Sequence, residues 1–361
     1  MSTAHNARHV GFGVNDKNSW QTVLNLKAAP AAVVPPGFLI GSATDIQAAT
    51  GCTVILAKQG AVASVAVLGG APATRETDLL APTNMVERIH AVVLSGGSAF
   101  GLDAASGVAE FLADQGIGLV FGGENIPIVV GASLFDLGVG DARVRPDAKM
   151  GRAAAVVAQA EGTACGNVGA GCGASVGKFL GPAQAMKGGL GMASVEVPLV
   201  GESLIVTAVV AVNALGAVYD RESGRYVAGA LLPPVSKAHI ADPLVVLTRL
   251  TQTPSQSTSA ADSIGNTTIG AILTNGALSK PQAARTALMA HDGLARSIYP
   301  VHTANDGDAL FCLSLGDVAT SPDLVGALAA TVVEQAVLNA VYRANSAFGL
   351  MAASDLLACD D

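Results

Sequence analysis

Aromatic residues make up only 4% of this 361-residue sequence and charged residues only 13%, with no long basic run. A nucleic-acid surface needs clustered Lys and Arg, often with stacking rings, so that class of partner is not expected. The net charge of -8 agrees with this and otherwise bears on solubility alone. Cysteine is sparse: Cys52, Cys165, Cys172, Cys312 and Cys359 are odd in number and match no zinc pattern. They read as reduced thiols. The six histidines (His5, His9, His90, His239, His291 and His302) supply no metal spacing either, since the His5/His9 interval falls in a polar tail. No metal is expected. The first twenty residues contain no apolar run able to serve as a signal-peptide core. The longest apolar stretch, residues 204–219, is interrupted by Thr207 and Asn213 and is short for a membrane span. A cytoplasmic protein without a membrane partner is the expectation.

Half of the chain is hydrophobic, ample for a large core. Apolar runs without alternation cover residues 53–57, 61–68, 91–94, 204–212, 268–273 and 309–315. Such runs suit strands covered on both faces. Helical patterns cover residues 102–115, 147–159, 281–298 and 323–343. Pro281 after Ser279, and Pro322-Asp323 after Ser321, are helix-start signals. Stacked sheets with helices outside would bury all of these faces. The 42 glycines gather in loops at 69–70, 96–97, 166–177 and 188–191. Residues 251–260 are polar and helix-averse and predict an exposed flexible loop. That loop runs into Gly265-Asn266-Thr267-Thr268 and then at once into an apolar strand.

A mobile loop meeting a held strand is where a chain can cut itself. The Thr267 hydroxyl would attack the carbonyl of Asn266, and water would release a new chain beginning with Thr267. Its α-amine, with an ordinary pKa of about 7.7–8.0, would then serve as general base for its own hydroxyl. Alone, the tetrapeptide reads equally as a turn entering a strand. Asp306 and Asp308 flank Gly307 just before a strand, so both carboxylates can point toward one place and orient Thr267; an Asx-type turn or a divalent-cation loop has the same pattern. Asn213 interrupts an apolar run and must find partners. It is either a structural amide or an oxyanion-hole donor. Lys178 is a lone cation in a glycine-rich apolar segment, either a surface lysine or a group that tunes the nucleophile. Residues 94–103 form a strand–loop–helix junction around Ser98, but lack both G-x-S-x-G spacing and the Lys-Ser/Thr of a phosphate loop. Tight loop packing is the expectation there, with Ser98 as a catalytic serine the alternative.

The segments 69–80, 94–107, 128–137, 169–171, 187–194 and 265–269 together resemble the DmpA-type L-aminopeptidase/D-esterase family, which includes nylon-oligomer hydrolases and β-peptidyl aminopeptidases. The resemblance spans residues 36–348. It implies an α/β fold, a four-layer αββα sandwich of the N-terminal-nucleophile kind in one domain, self-cleaved into chains 1–266 and 267–361. It implies amide hydrolysis on small peptides, amino-acid amides or ω-amino-acid oligomers, no cofactor, and a homo-oligomer such as a tetramer of cleaved heterodimers. Similarity to the nylon-oligomer hydrolases places Lys178, Asn213, Asp306 and Asp308 around Thr267. Phe135 stands where those enzymes carry a Tyr, so any phenol hydrogen bond is absent here. Two alternatives follow from the same resemblance: an endo-acting 6-aminohexanoate-oligomer hydrolase, and an acyl transferase like the ornithine acetyltransferases. Among small substrates, Asp306 or Asp308 would favour one with a free ammonium group.

Overall fold

The computed structural model describes residues 25–28, 31–232, 239–252 and 265–357. Most of the predicted flexible loop lies outside these residues, as does Cys359. Thr251 and Gln252, expected in that loop, instead end a helix.

Ten strands join in one hydrogen-bonded sheet: β1 (Leu26–Ala28), β2 (Leu39–Asp45), β3 (Thr50–Val67), β4 (Ala73–Arg75), β5 (Arg88–Ser95), β6 (Val129–Ser133), β7 (Gly189–Pro198), β8 (Ser203–Asn213), β9 (Thr267–Gly276) and β10 (Ala309–Val318). Their order is β1-β7-β8-β9-β10-β3-β5-β6-β4, with β2 paired to β3. The β9–β10 and β5–β6 ladders are parallel.

Strand β3 carries the architecture. The two apolar runs at 53–57 and 61–68 are one 18-residue strand, not two. Its first half pairs with β2 and β5, and its second half pairs with β10. Between Leu56 and Ala61 the register on β5 shifts, and Gly60 sits at φ 80°. A glycine there lets the strand bend without a Cβ clash. The sheet therefore folds over along β3 into two leaves.

Side-chain alternation on these strands builds three cores. Ala208, Val210 and Val212 of β8 face helices α4 (Lys280–Ser297) and α5 (Pro322–Tyr342); Ala283, Ala287 and Val333 of those helices meet them. Val209 and Ala211 of β8 point the other way, with Ile269, Leu273 and Phe311, against Ile55, Val92 and Leu94 of the opposite leaf. Cys52, Val54 and Val93 then face α1 (Ala104–Ala113) and α2 (Ala148–Val156). Helix, leaf, leaf, helix is the four-layer αββα order. The inner strands are buried on both faces, which explains their unbroken apolar runs.

Helix α4 begins at Ser279, whose backbone N–H donates to the Gln282 side chain at 2.8 Å, with Pro281 in its first turn. Helix α5 is long and apolar enough to cross a membrane by length and composition, yet 78% of its apolar window is buried against α4 and the sheet. Its one buried carboxylate, Glu334, accepts from Arg221 at 2.7 Å. Helix α3 (Pro243–Gln252) had no counterpart among the predicted helices.

Candidate active site

Three chain segments meet at one end of the β8–β9–β10 ladder. Thr267 is the first residue of β9 and stands opposite Asn213, the last residue of antiparallel β8. Because β9 and β10 run parallel, the segments entering them lie side by side, and Asn266 forms a parallel bridge with Asp306. Asn213, Asn266, Thr267, Asp306 and Asp308 are all buried.

The Thr267 hydroxyl donates to the carbonyl oxygen of Asn266, the residue immediately before it. The same oxygen accepts the Gly307 backbone N–H at 2.8 Å. Gly307 lies so close that a Cβ on it would stand 2.8 Å from Thr267 Oγ1. Hydroxyl and carbonyl are thus in contact, with an N–H already on the oxygen that would gain charge on attack.

The side chain of Asn213 is fully used. Its Nδ2 donates to the carbonyls of Phe135 and Gly265, each at 3.0 Å. Its Oδ1 accepts the Ser175 N–H at 3.0 Å and Lys178 Nζ at 2.8 Å. In the intact chain it therefore grips the residue upstream of Asn266, not the Asn266 carbonyl.

Lys178 is half-buried as a residue, but its ammonium end is enclosed. Nζ donates to Asn213 O at 2.8 Å and to Gly265 O at 3.3 Å, besides Asn213 Oδ1. Burial pushes its pKa down to about 7, against a smaller upward pull from Asp306, Asp136 and Asp308. It is not a surface lysine.

The two carboxylates differ. Asp306 Oδ2 accepts the Thr303 N–H at 2.9 Å and the Thr303 hydroxyl at 2.7 Å, and Oδ1 accepts the Leu215 N–H at 3.4 Å. Burial and the neighbouring Asp308 raise its pKa. Asp308 Oδ1 accepts the Thr268 N–H at 2.6 Å, and Oδ2 accepts from His302. Asp306 therefore braces its own loop by reaching back to Thr303, not forward as in an Asx-turn, while Asp308 holds the peptide that follows Thr267. Both are engaged in the intact chain.

The ring of Phe135 packs on Gly265, where a Cβ would come within 2.4 Å of Cδ1. Gly265 has φ 127°, a conformation that other residues avoid. The Ser98 loop adjoins the segment that carries Phe135: the Ser98 N–H donates to the Leu134 carbonyl at 2.9 Å. Ser95 and Ser133 hydroxyls bond each other at 2.6 Å, and Asp136 accepts from Gly97 N–H and the Thr50 hydroxyl, each at 2.7 Å. These contacts pack the loop, as expected. The described cysteines Cys52, Cys165, Cys172 and Cys312 are free thiols. Among the described residues, no group of three or more His, Cys, Asp or Glu is placed to hold a metal ion.

Sequence reasoning missed Gly307, His302 and His291. The first acts through its backbone, and the other two act through partners that only the fold brings close.

Residues 35–353 match Peptidase family S58. The chain belongs to that family. An uncharacterised aminopeptidase of Mycobacterium leprae is 41% identical over 338 residues, covering 84% of this chain and 85% of the relative. A 6-aminohexanoate-oligomer endohydrolase of Kocuria sp. is 30% identical over 326 residues, 84% of each chain. Among solved structures, the L-aminopeptidase D-Ala-esterase/amidase of Ochrobactrum anthropi, a variant of the Ntn-hydrolase fold, aligns with a TM-score of 0.64 at 19% identity. That alignment covers 94% of this chain and 97% of the other. The S58 protein described here is thus an amide hydrolase with an N-terminal-nucleophile type of fold, as the DmpA-type resemblance implied.

Proposed function

We propose that Thr267 is the nucleophile of this S58 hydrolase and that the chain breaks before it, into residues 1–266 and 267–361. The observation that carries this is the Thr267 hydroxyl on the Asn266 carbonyl, with Gly307 N–H on the same oxygen. In self-cleavage Oγ1 attacks the carbonyl carbon and the charge gathers on the oxygen that Gly307 already holds. The C–N bond breaks as the nitrogen of Thr267 takes up a proton, leaving an ester. Water hydrolyses that ester, and residue 266 departs as a carboxylate. The freed α-amine then takes the hydroxyl proton when Thr267 attacks a substrate amide. Departure of Gly265 frees Asn213 Nδ2 and Lys178 Nζ to face the reacting group, where Asn213 serves as oxyanion donor.

The substrate is a small or extended amide, because it must occupy the narrow place vacated by residues 265–266 between Phe135, Asn213 and the 306–308 loop. A second reading concerns which amides. Lys178 presents a donor to a carbonyl one residue before the scissile bond. Donors suit an acylated amine better than a free ammonium, which favours endo-type cleavage. Comparing an amino-acid p-nitroanilide with its N-acetyl form reads this out: endo-type preference is lost if the free amine reacts faster.

The test of the nucleophile is direct. N-terminal sequencing of the smaller fragment should begin Thr-Thr-Ile-Gly, and Thr267→Ala should yield one intact, inactive chain. An uncut wild-type chain with full activity would overturn the proposal.

A further inference from the structure

Behind Asp308 runs a chain of hydrogen bonds that the hydrolytic scheme leaves unused. Asp308 Oδ2 lies 2.8 Å from His302 Nδ1, and His302 Nε2 lies 3.2 Å from His291 Nδ1. His291 Nε2 lies 3.0 Å from the Ala66 carbonyl oxygen on β3. The two rings meet edge to face at 4.7 Å between centroids. His291 belongs to α4 and is buried, so the chain ties helix, sheet and active-site loop together.

Counting protons fixes its charge. The Ala66 carbonyl can only accept, so His291 Nε2 carries a proton. Burial pushes His291 down to about 4, so its ring is neutral and Nδ1 accepts. His302 Nε2 must then donate. The third contact, His302 Nδ1 to Asp308, needs a proton of its own. Three contacts hold three protons, one more than two neutral imidazoles and a carboxylate supply. Asp308 already acts as acceptor on both oxygens, for the N–H groups of Thr268 and His302. Placed on His302, the extra proton makes an imidazolium paired with a carboxylate.

We propose that His302, oriented by His291, is a positioning residue that neutralises Asp308 and so keeps the α-amine of Thr267 in its basic form near neutral pH. This rests on Thr267 being the N-terminal nucleophile. Asp308 Oδ1 is 2.6 Å from the Thr268 nitrogen. One residue spans at most about 3.6 Å, so the Thr267 amine stands within about 6 Å of that oxygen. An uncompensated carboxylate at this range stabilises ammonium over amine and would idle the general base. The other charged groups facing the pair are Asp306 on the same loop, Asp292 on α4, which acts on His291, and Lys178, whose ammonium feels both Asp306 and Asp308.

The test is His302→Asn. An Asn amide N–H can replace the bond from Nδ1 without the charge, and Asn tolerates the φ of 58° found at His302. With self-cleavage first verified by N-terminal sequencing, the acid limb of kcat/KM should move up by about one pH unit or more. The high-pH plateau should stay within a few-fold of wild type. A uniform loss at every pH, or an unmoved limb, would overturn the proposal. Should the variant not fold or cleave, 15N spectra of histidine-labelled wild-type protein decide. His302 with both ring nitrogens protonated at pH 7 is the expected result, and a singly protonated ring refutes it. A wild-type chain that is active yet uncut would instead remove the nucleophile reading itself, so the two failures are distinct.

Discussion

Replacing Gly307 by Ala adds one methyl group beside the reacting atoms. The added carbon would stand 2.8 Å from Thr267 Oγ1 and 2.9 Å from the Ala71 carbonyl oxygen. Both contacts are too short, so the loop must shift. A displacement of about half an ångström is the tolerance of a productive constellation. A misplacement of about 1 Å costs roughly a hundredfold in rate. The same movement lengthens the 2.8 Å bond from Gly307 N–H to the Asn266 carbonyl, and losing one such donor costs about 10²–10³ in turnover. These are two views of a single displacement and do not add. The expected outcome is a self-cleavage rate lowered by about a hundredfold or more. Overpacking of this kind costs about 1–3 kcal/mol, so the protein should remain folded. Time-resolved mass spectrometry of freshly purified protein follows the intact chain and its fragments, and a thermal melt checks the fold. A folded Gly307→Ala protein that cleaves as fast as wild type would refute the assignment of Gly307 as the donor to the scissile carbonyl.

Other perturbations separate the remaining roles. Asn213→Ala should lower kcat by roughly a hundredfold with KM little changed if its amide has the proposed oxyanion role; full turnover in a folded variant would return Asn213 to a structural amide. Gly265→Ala should slow self-cleavage, and Phe135→Ala should restore it only in part, because the φ of 127° at Gly265 stays strained after the ring is gone. Full recovery in the double variant would mean that the ring alone sets the constraint. Lys178 titrates near 7 when folded and near the ordinary lysine value of 10.5 when unfolded. Between these values the unfolded chain binds the extra proton, so this group's contribution makes stability rise with pH across that window. Lys187, fully buried and also pushed down to about 7, adds a similar rise. Lys178→Met should therefore reduce, without abolishing, the gain in denaturation midpoint from pH 7 to 10; an unchanged gain would show that Lys178 is not desolvated.

How much of this was legible depends on what each residue's role leaves in the sequence. The two-sided burial of β8, β9 and β10 shows as unbroken apolar runs, since alternation disappears when both faces are covered. Asn213 was visible because a polar side chain breaks such a run. The bend of β3 was not visible: Lys58-Gln59-Gly60 has the composition of a turn, yet the strand continues through it from one leaf to the other. Lys178 was placed near Thr267 by the resemblance alone, because nothing local shows that Asn213 and Gly265 enclose its ammonium. Helix α3 was hidden because its last turn merges into a polar tract. Gly307 acts through a backbone N–H, which every non-proline residue has. The His302 partner, His291, lies eleven residues earlier on another element, beyond the helix end at Ser297 and Pro300.

The central place of β9, between β8 and β10, has a consequence for how the molecule is made and lost. A chain cut before Thr267 keeps its new terminus as an inner strand, hydrogen-bonded on both sides to residues of either fragment. The pieces cannot part without opening the sheet and all the cores built on it. In a chain that cuts itself so, assembly precedes the cut and is unimolecular. After the cut, any return from the denatured state requires two separate polypeptides to meet, with the smaller one inserting as an interior strand. Its durability is then governed by the rate of first opening and not by an equilibrium that can restore it.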